Sequence, residues 1–305
     1  MRSTTTPNAT QPFEVPKFRQ FLGVVGLIWL AMVAVLIVVE LIESWTIDLN
    51  DPLLTPVFYI VLFGGSSLWL WQQYRHHHIE PRQLLGDWPS GQQWPALIGL
   101  WVTLFMFSLG AFQVSFAAFS YLLPQMVEET LQSSIFLGAD ETAIPWLYNL
   151  LMLIVLVVAA PVLEEFLFRG FLLHRWGTRW NLRVAVLLSS VLFGILHANL
   201  IGLTGFGFAL ALLYLRSSNL WLVIIIHSLN NAIAAGLEII LSFGGSSEPQ
   251  SLTEFRSSIW FGLVLLAIST PFLIRFLRQN WAVTRAPLPY FANGDRAVAS
   301  VDDGC

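Results

Sequence analysis

Residues 144–173 read IPWLYNLLMLIVLVVAAPVLEEFLFRGFLL. The run is apolar for nearly its whole length and exceeds the ~20 residues needed to cross ~30 Å of hydrocarbon. Near its end it carries Glu164, Glu165 and Arg169 within six positions. A charge at bilayer depth costs at least ~2.5 kcal/mol on the mildest scale. Three so close together are expected to face the interior of a protein, where such groups mark a functional site. The stretch therefore implies a membrane-spanning helix and a reaction or relay built into it.

The rest of the chain agrees. Of its 305 residues 56% are hydrophobic and 11% charged, where soluble domains carry about 25% charged residues. Mean hydropathy is +0.68, which excludes a soluble globular protein. Eight apolar runs can be counted, at about 20–42, 53–73, 95–123, 144–174, 182–198, 200–216, 219–242 and 257–279. The fifth and sixth are short and nearly continuous. The expected fold is all-α, a polytopic membrane helix bundle with about eight transmembrane helices over residues 17–280. Residues 1–16 read as a disordered cytoplasmic tail and 281–305 as a mobile C-terminal tail. Residues 124–143 hold a short interfacial helix with acidic pairs.

Basic residues orient the bundle. With the N-terminus inside, Arg256 alone among the fifteen Lys and Arg falls outside, so both termini are expected in the cytoplasm. The membrane, plasma or internal, is left open. Cys305 ends the chain and rules out an internal disulfide. Lipid is the expected environment, and no nucleic-acid partner is expected. The sequence leaves oligomeric state open.

Depth can be counted from cytoplasmic arginines at ~1.5 Å per residue. Glu164 lies roughly 16 Å from Arg175, His227 roughly 16 Å from Arg216, and His197 about 21 Å from Arg183. All three fall near one level on different helices. Glu165 and Arg169 share a helix face and should pair, leaving Glu164 as the freer carboxylate. His227 and Asn231 also share a face. Pro161 should break the fourth span and free a carbonyl. His76, His77 and His78 read as a solvated loop face, and His174 as interfacial at a helix end.

Three signatures stand in order: EEFLFRG at 164–170, FGILH at 193–197 and HSLNN at 227–231. They match the pattern EExxxR, FxxxH, HxxxN. The chain thereby resembles the CPBP family of intramembrane endopeptidases, the CAAX-processing and bacteriocin-processing (Abi) group, over about residues 144–242. The resemblance implies that Glu164 is the catalytic carboxylate and that His197 works with it to activate water. It implies that His227 and Asn231 stabilise the oxyanion. Arg169 matches the motif arginine and Glu165 the second glutamate, whose role stays open. Eukaryotic members remove a C-terminal tripeptide from prenylated proteins, so a membrane-associated or lipidated peptide is the implied substrate class.

Two histidines and a carboxylate are also a common zinc set, which makes Glu164, His197 and His227 candidate metal ligands. There is no HExxH, and zinc stays open at this point. Two other functions compete with proteolysis. One is a non-catalytic membrane scaffold or immunity protein on the same fold. The other is a proton-coupled transporter using Glu164 and the histidines as a relay, against which the lack of an internal repeat counts.

Overall fold

A computed structural model describes residues 12–41, 51–89, 94–138, 141–243 and 251–302. The described residues are mainly helical, with no strand among them. Ten helices carry the fold: α1 (Phe18–Leu41), α2 (Leu54–His76), α3 (Trp94–Leu122), α4 (Pro124–Gln132), α5 (Pro145–Arg179), α6 (Leu182–Ile195), α7 (Leu200–Ser217), α8 (Leu220–Phe243), α9 (Ile259–Asn280) and α10 (Pro289–Asp302).

Among the described residues seven helices are long and apolar enough to cross a membrane. The eighth expected span is α6, only 14 residues long. That gives about 21 Å of helix, short of the hydrocarbon thickness. It ends at Ile195, and the chain turns through His197 into α7 instead of running on to residue 198. Asparagines start both arms of this hairpin. Asn181 Oδ1 accepts from Val184 N at 3.0 Å and Asn199 Oδ1 from Gly202 N at 3.1 Å, the usual N-cap arrangement.

The core centres on α7, whose residues 209–212 are all fully buried. The hairpin closes tightly because Gly194 faces α7. A Cβ there would stand 2.0 Å from Thr204 Oγ1. Helix α9 lies along α3, and Gly262 makes the same kind of seam, with a Cβ reaching 2.7 Å from the Gln113 side chain. Gln113 Nε2 donates to the Phe255 carbonyl at 3.0 Å and to Ser258 Oγ at 2.8 Å. Helix α1 lies at the edge, with none of its most apolar window buried.

Residues 12–14 and α10 both pack onto the bundle. Residues 1–11 of the expected N-terminal tail lie outside the described residues. Pro12–Glu14 is a 3₁₀ turn, and Phe13 is buried against Tyr74, His174 and Tyr290. Most of the stretch expected as a mobile C-terminal tail is helical. Asn293 Nδ2 in α10 donates to the carbonyls of Gln83 and Ser218, each at 2.8 Å. The short helix expected within 124–143 is α4, which bears Glu128 and Glu129; Asp140 lies outside the described residues. His174, expected at an interface, is instead fully buried, because α5 continues to Arg179.

Candidate active site

Helix α5 is not a uniform α-helix. It relaxes into i→i+5 turns at Val155–Ala159 and again at Phe166–Leu173, with Glu164 and Glu165 between them. Such π turns leave backbone groups needing partners and gather at functional sites. Ala160 N reaches Val155 O in this register. The next amide would be Pro161, which has no N–H, so the Leu156 carbonyl lacks its helical donor. Asn231 supplies one, donating from Nδ2 at 2.9 Å. In the second π turn the Gly170 carbonyl accepts from Tyr74 Oη at 2.9 Å, and the Arg169 carbonyl from His174 Nδ1 at 2.7 Å.

The two glutamates take separate environments. Glu165 is fully buried and pairs with Arg169, Nη1 to Oε2 at 2.9 Å. Its Oε1 also accepts from His227 Nδ1 at 2.8 Å. Arg169 is held in turn by the Gly207 carbonyl, Nη2 to O at 2.8 Å, and lies 5.0 Å from the centre of the Phe193 ring. Glu165 is thus a brace joining α5 to α8, and Arg169 ties that brace to α7. Phe193, the aromatic of the FGILH stretch, also packs 4.6 Å from His197 and 5.7 Å from His227.

Glu164 is 7% exposed. Its Oε1 accepts from Tyr59 Oη at 2.8 Å. Its Oε2 is buried without a hydrogen-bond partner among the described residues. That oxygen stands 3.8 Å from His197 Nε2 and 3.9 Å from His227 Nε2. Both imidazoles are turned by their other nitrogen. His197 Nδ1 donates to the Phe193 carbonyl at 2.6 Å, which leaves Nε2 with the lone pair when the ring is neutral. His227 Nδ1 is held by the Glu165 carboxylate, which turns Nε2 toward Glu164. His197 is half-exposed while Glu164 and His227 are buried, so the group is reached past His197.

Glu164, Glu165, Arg169, His197 and His227 are therefore brought together from α5, the α6–α7 turn and α8. Asn231 lies one helical turn beyond His227 with one of its two N–H bonds spent on Leu156. Nothing in the sequence singles out Tyr59, since a tyrosine in an apolar run reads as packing. An apolar cavity of about 360 Å³ lies alongside, between α2, α5 and α8, lined by Leu68, Trp71, Leu163, Phe166, Trp221 and Ile224 among others.

The donor chemistry of Glu164, His197 and His227 suits zinc, but their arrangement does not form a zinc site as it stands. Ligand atoms about 2.0–2.1 Å from a tetrahedral zinc are about 3.3–3.4 Å apart, closer than the separations here. Among the described residues no group of three or more His, Cys, Asp or Glu is disposed to hold a metal ion.

Comparison with known proteins places residues 145–233 in a match to the family described as type II CAAX prenyl endopeptidase Rce1-like. A 92-residue stretch is 37% identical to a Bacillus subtilis (strain 168) protein named "Putative membrane peptidase YdiL". The match covers 29% of this chain and 38% of that protein. No solved structure matches.

Proposed function

We propose that this chain, which belongs through residues 145–233 to the Rce1-like endopeptidase family, is an intramembrane peptidase that hydrolyses a peptide bond with water activated at Glu164. The observation that carries the proposal is the unpartnered Glu164 Oε2, set 3.8 and 3.9 Å from two imidazole nitrogens. Those gaps are too long for direct hydrogen bonds. A water at ~2.8 Å from the oxygen and from either nitrogen would bridge them.

In the reaction Glu164 Oε2 takes one proton from that water, with His197 Nε2 orienting it as acceptor. The oxygen bonds to the peptide carbonyl carbon. His227, doubly protonated against the Glu165 carboxylate, donates from Nε2 to the developing oxyanion. The remaining N–H of Asn231 serves the same oxygen. Each such donor is worth roughly 3–4 kcal/mol where measured. The proton on Glu164 then passes to the leaving nitrogen as the C–N bond breaks. Glu165 and Arg169 do not touch the reacting atoms; they fix His227.

The apolar cavity beside α5 fits the flank of a membrane-associated or lipidated peptide, which keeps the CAAX-processing type as the proposed substrate class. Cytoplasmic placement of both termini follows the basic residues and is part of the same proposal.

The test is hydrolysis in proteoliposomes by Glu164→Gln and His197→Ala. Both are expected to lose at least ~100-fold in kcat, in line with removal of an acid–base group, while folding as the wild type does. Full-rate cleavage by either overturns the mechanism. Retained biological effect without hydrolysis would favour the scaffold reading, and proton-coupled flux the transporter reading. The residue-only route also expects dialysis against a chelator to leave the rate unchanged. Loss of activity restored by zinc, with one zinc per chain, would instead install Glu164, His197 and His227 as ligands.

A further inference from the structure

Only one oxygen of Glu164 faces the imidazoles. The other, Oε1, accepts from the Tyr59 phenol at 2.8 Å. Tyr59 belongs to α2, 105 positions earlier in the chain. It lies outside the 145–233 match and outside all three signatures. Its ring is fixed by stacking on Phe63, with centres 4.5 Å apart and planes 18° off parallel. The residue that follows it, Ile60, opens a third π turn, Ile60–Gly64. A distorted stretch of α2 thus stands opposite the distorted stretch of α5, and the phenol spans the gap.

A carboxylate turns easily about its last side-chain torsion, whose preference is broad and two-fold. The α5 backbone alone does not decide which oxygen meets a water between His197 and His227. A hydrogen bond from a donor on a separate helix does decide it.

We infer that Tyr59 is a positioning residue for Glu164. The phenol O–H holds Oε1 and thereby presents Oε2 to the space between the two Nε2 atoms. The inference rests on the reading of Glu164 as the group that takes the proton from water. A hydrogen bond to an ionised acceptor is roughly twice as strong as a neutral one. Its loss lets the reacting oxygen wander, and a misplacement of about 1 Å can cost ~100-fold in rate.

The experiment uses the full chain in lipid nanodiscs, as wild type, Tyr59→Phe and Glu164→Gln. Phenylalanine keeps the stacked ring and removes only the hydroxyl. One arm follows labelling of Glu164 by dicyclohexylcarbodiimide, read by peptide mass spectrometry. The other measures kcat and KM on a quenched fluorogenic peptide carrying one apolar helix. Tyr59→Phe is expected to be labelled several-fold faster, because Oε1 has lost its donor. Its kcat should fall roughly tenfold, the effect of one hydrogen bond to a charged group. KM and the melting temperature should stay at wild-type values.

Wild-type labelling together with wild-type kcat overturns the inference. So does a raised KM with kcat kept, which would make Tyr59 a substrate contact, or a rate loss that only tracks a lowered melting temperature. Glu164→Gln separates the two levels of the argument. If it cleaves at full rate, the reading of Glu164 falls. If it is inactive and Tyr59→Phe is normal in both arms, only the role of Tyr59 falls. The labelling arm needs no substrate, so it decides the Tyr59 contact by itself.

Discussion

At the residue scale the two adjacent glutamates should behave oppositely when neutralised. Glu165 balances the buried Arg169 and orients His227. Glu165→Gln leaves a guanidinium 1% exposed without its counter-charge. Removing one member of a buried pair costs about 3–5 kcal/mol, so a clear drop in melting temperature is expected together with loss of activity. Glu164→Gln breaks no direct ion pair, because Glu164 bonds only a phenol and the protonated His227 keeps Glu165 at 2.8 Å. It should melt at or above the wild-type temperature while being inactive. Thermal unfolding of the two variants side by side checks this. The spacing of Glu165 and Arg169 made their pairing legible in the sequence. The bond from His227 to Glu165 was not legible, since it depends on how α8 is turned against α5. Tyr59 was illegible for the same reason: nothing in an apolar run says which aromatic meets a carboxylate from another helix.

At the scale of the helix, Pro161 and Asn231 form one device. The break expected at Pro161 takes the form of a π turn, and the carbonyl left over is Leu156 O. Asn231→Ala should therefore cost stability as well as rate. Pro161→Ala returns an N–H to the helix and removes the need for a donor from α8. In the double variant the melting temperature should recover much of what Asn231→Ala lost. The rate should not recover, because no amide is regained at the oxyanion. Recovery of both would make Asn231 purely structural, and a double-mutant cycle measures the coupling. Apolar periodicity and length gave the helices themselves. The end of α6 at Ile195 was harder to read, because residues 196–198 are apolar enough to continue a helix. Close approach at Gly194 and the Asn199 cap turn the chain there instead.

At the scale of the molecule, distant segments are tied across the opposite ends of the bundle. Asp51, ahead of α2, accepts from Leu53 N at 2.8 Å, Thr142 Oγ1 at 2.7 Å and Ala143 N at 3.2 Å, fastening α2 to the start of α5. The Leu53 amide first, and then Thr142, hold its carboxyl below the ordinary value of 3.8. A group with a depressed folded pKa stabilises fully above its unfolded pKa and loses that contribution as pH falls through the folded one. Wild type should therefore lose melting temperature below about pH 3.8 more steeply than Asp51→Asn, whose curve lacks this component. Parallel slopes in the two proteins would remove Asp51 as the cause. At the other end, Phe13 and α10 close over the base of α5, where composition alone suggested loose tails.

The wiring of α5 also sets a schedule for biosynthesis. Arg169 waits for the Gly207 carbonyl, 38 positions on, and Glu165 for His227, 62 positions on. At 5–20 residues per second the second wait lasts about 3–12 s. During that time a nascent chain holds Glu164 and the Glu165–Arg169 pair at bilayer depth without their partners from α7 and α8. Insertion machinery or a chaperone has to shelter them until α8 emerges. Ribosome-stalled chains cut before residue 207 should accordingly crosslink through α5 to the translocation apparatus, and chains extended beyond α8 should be released from it.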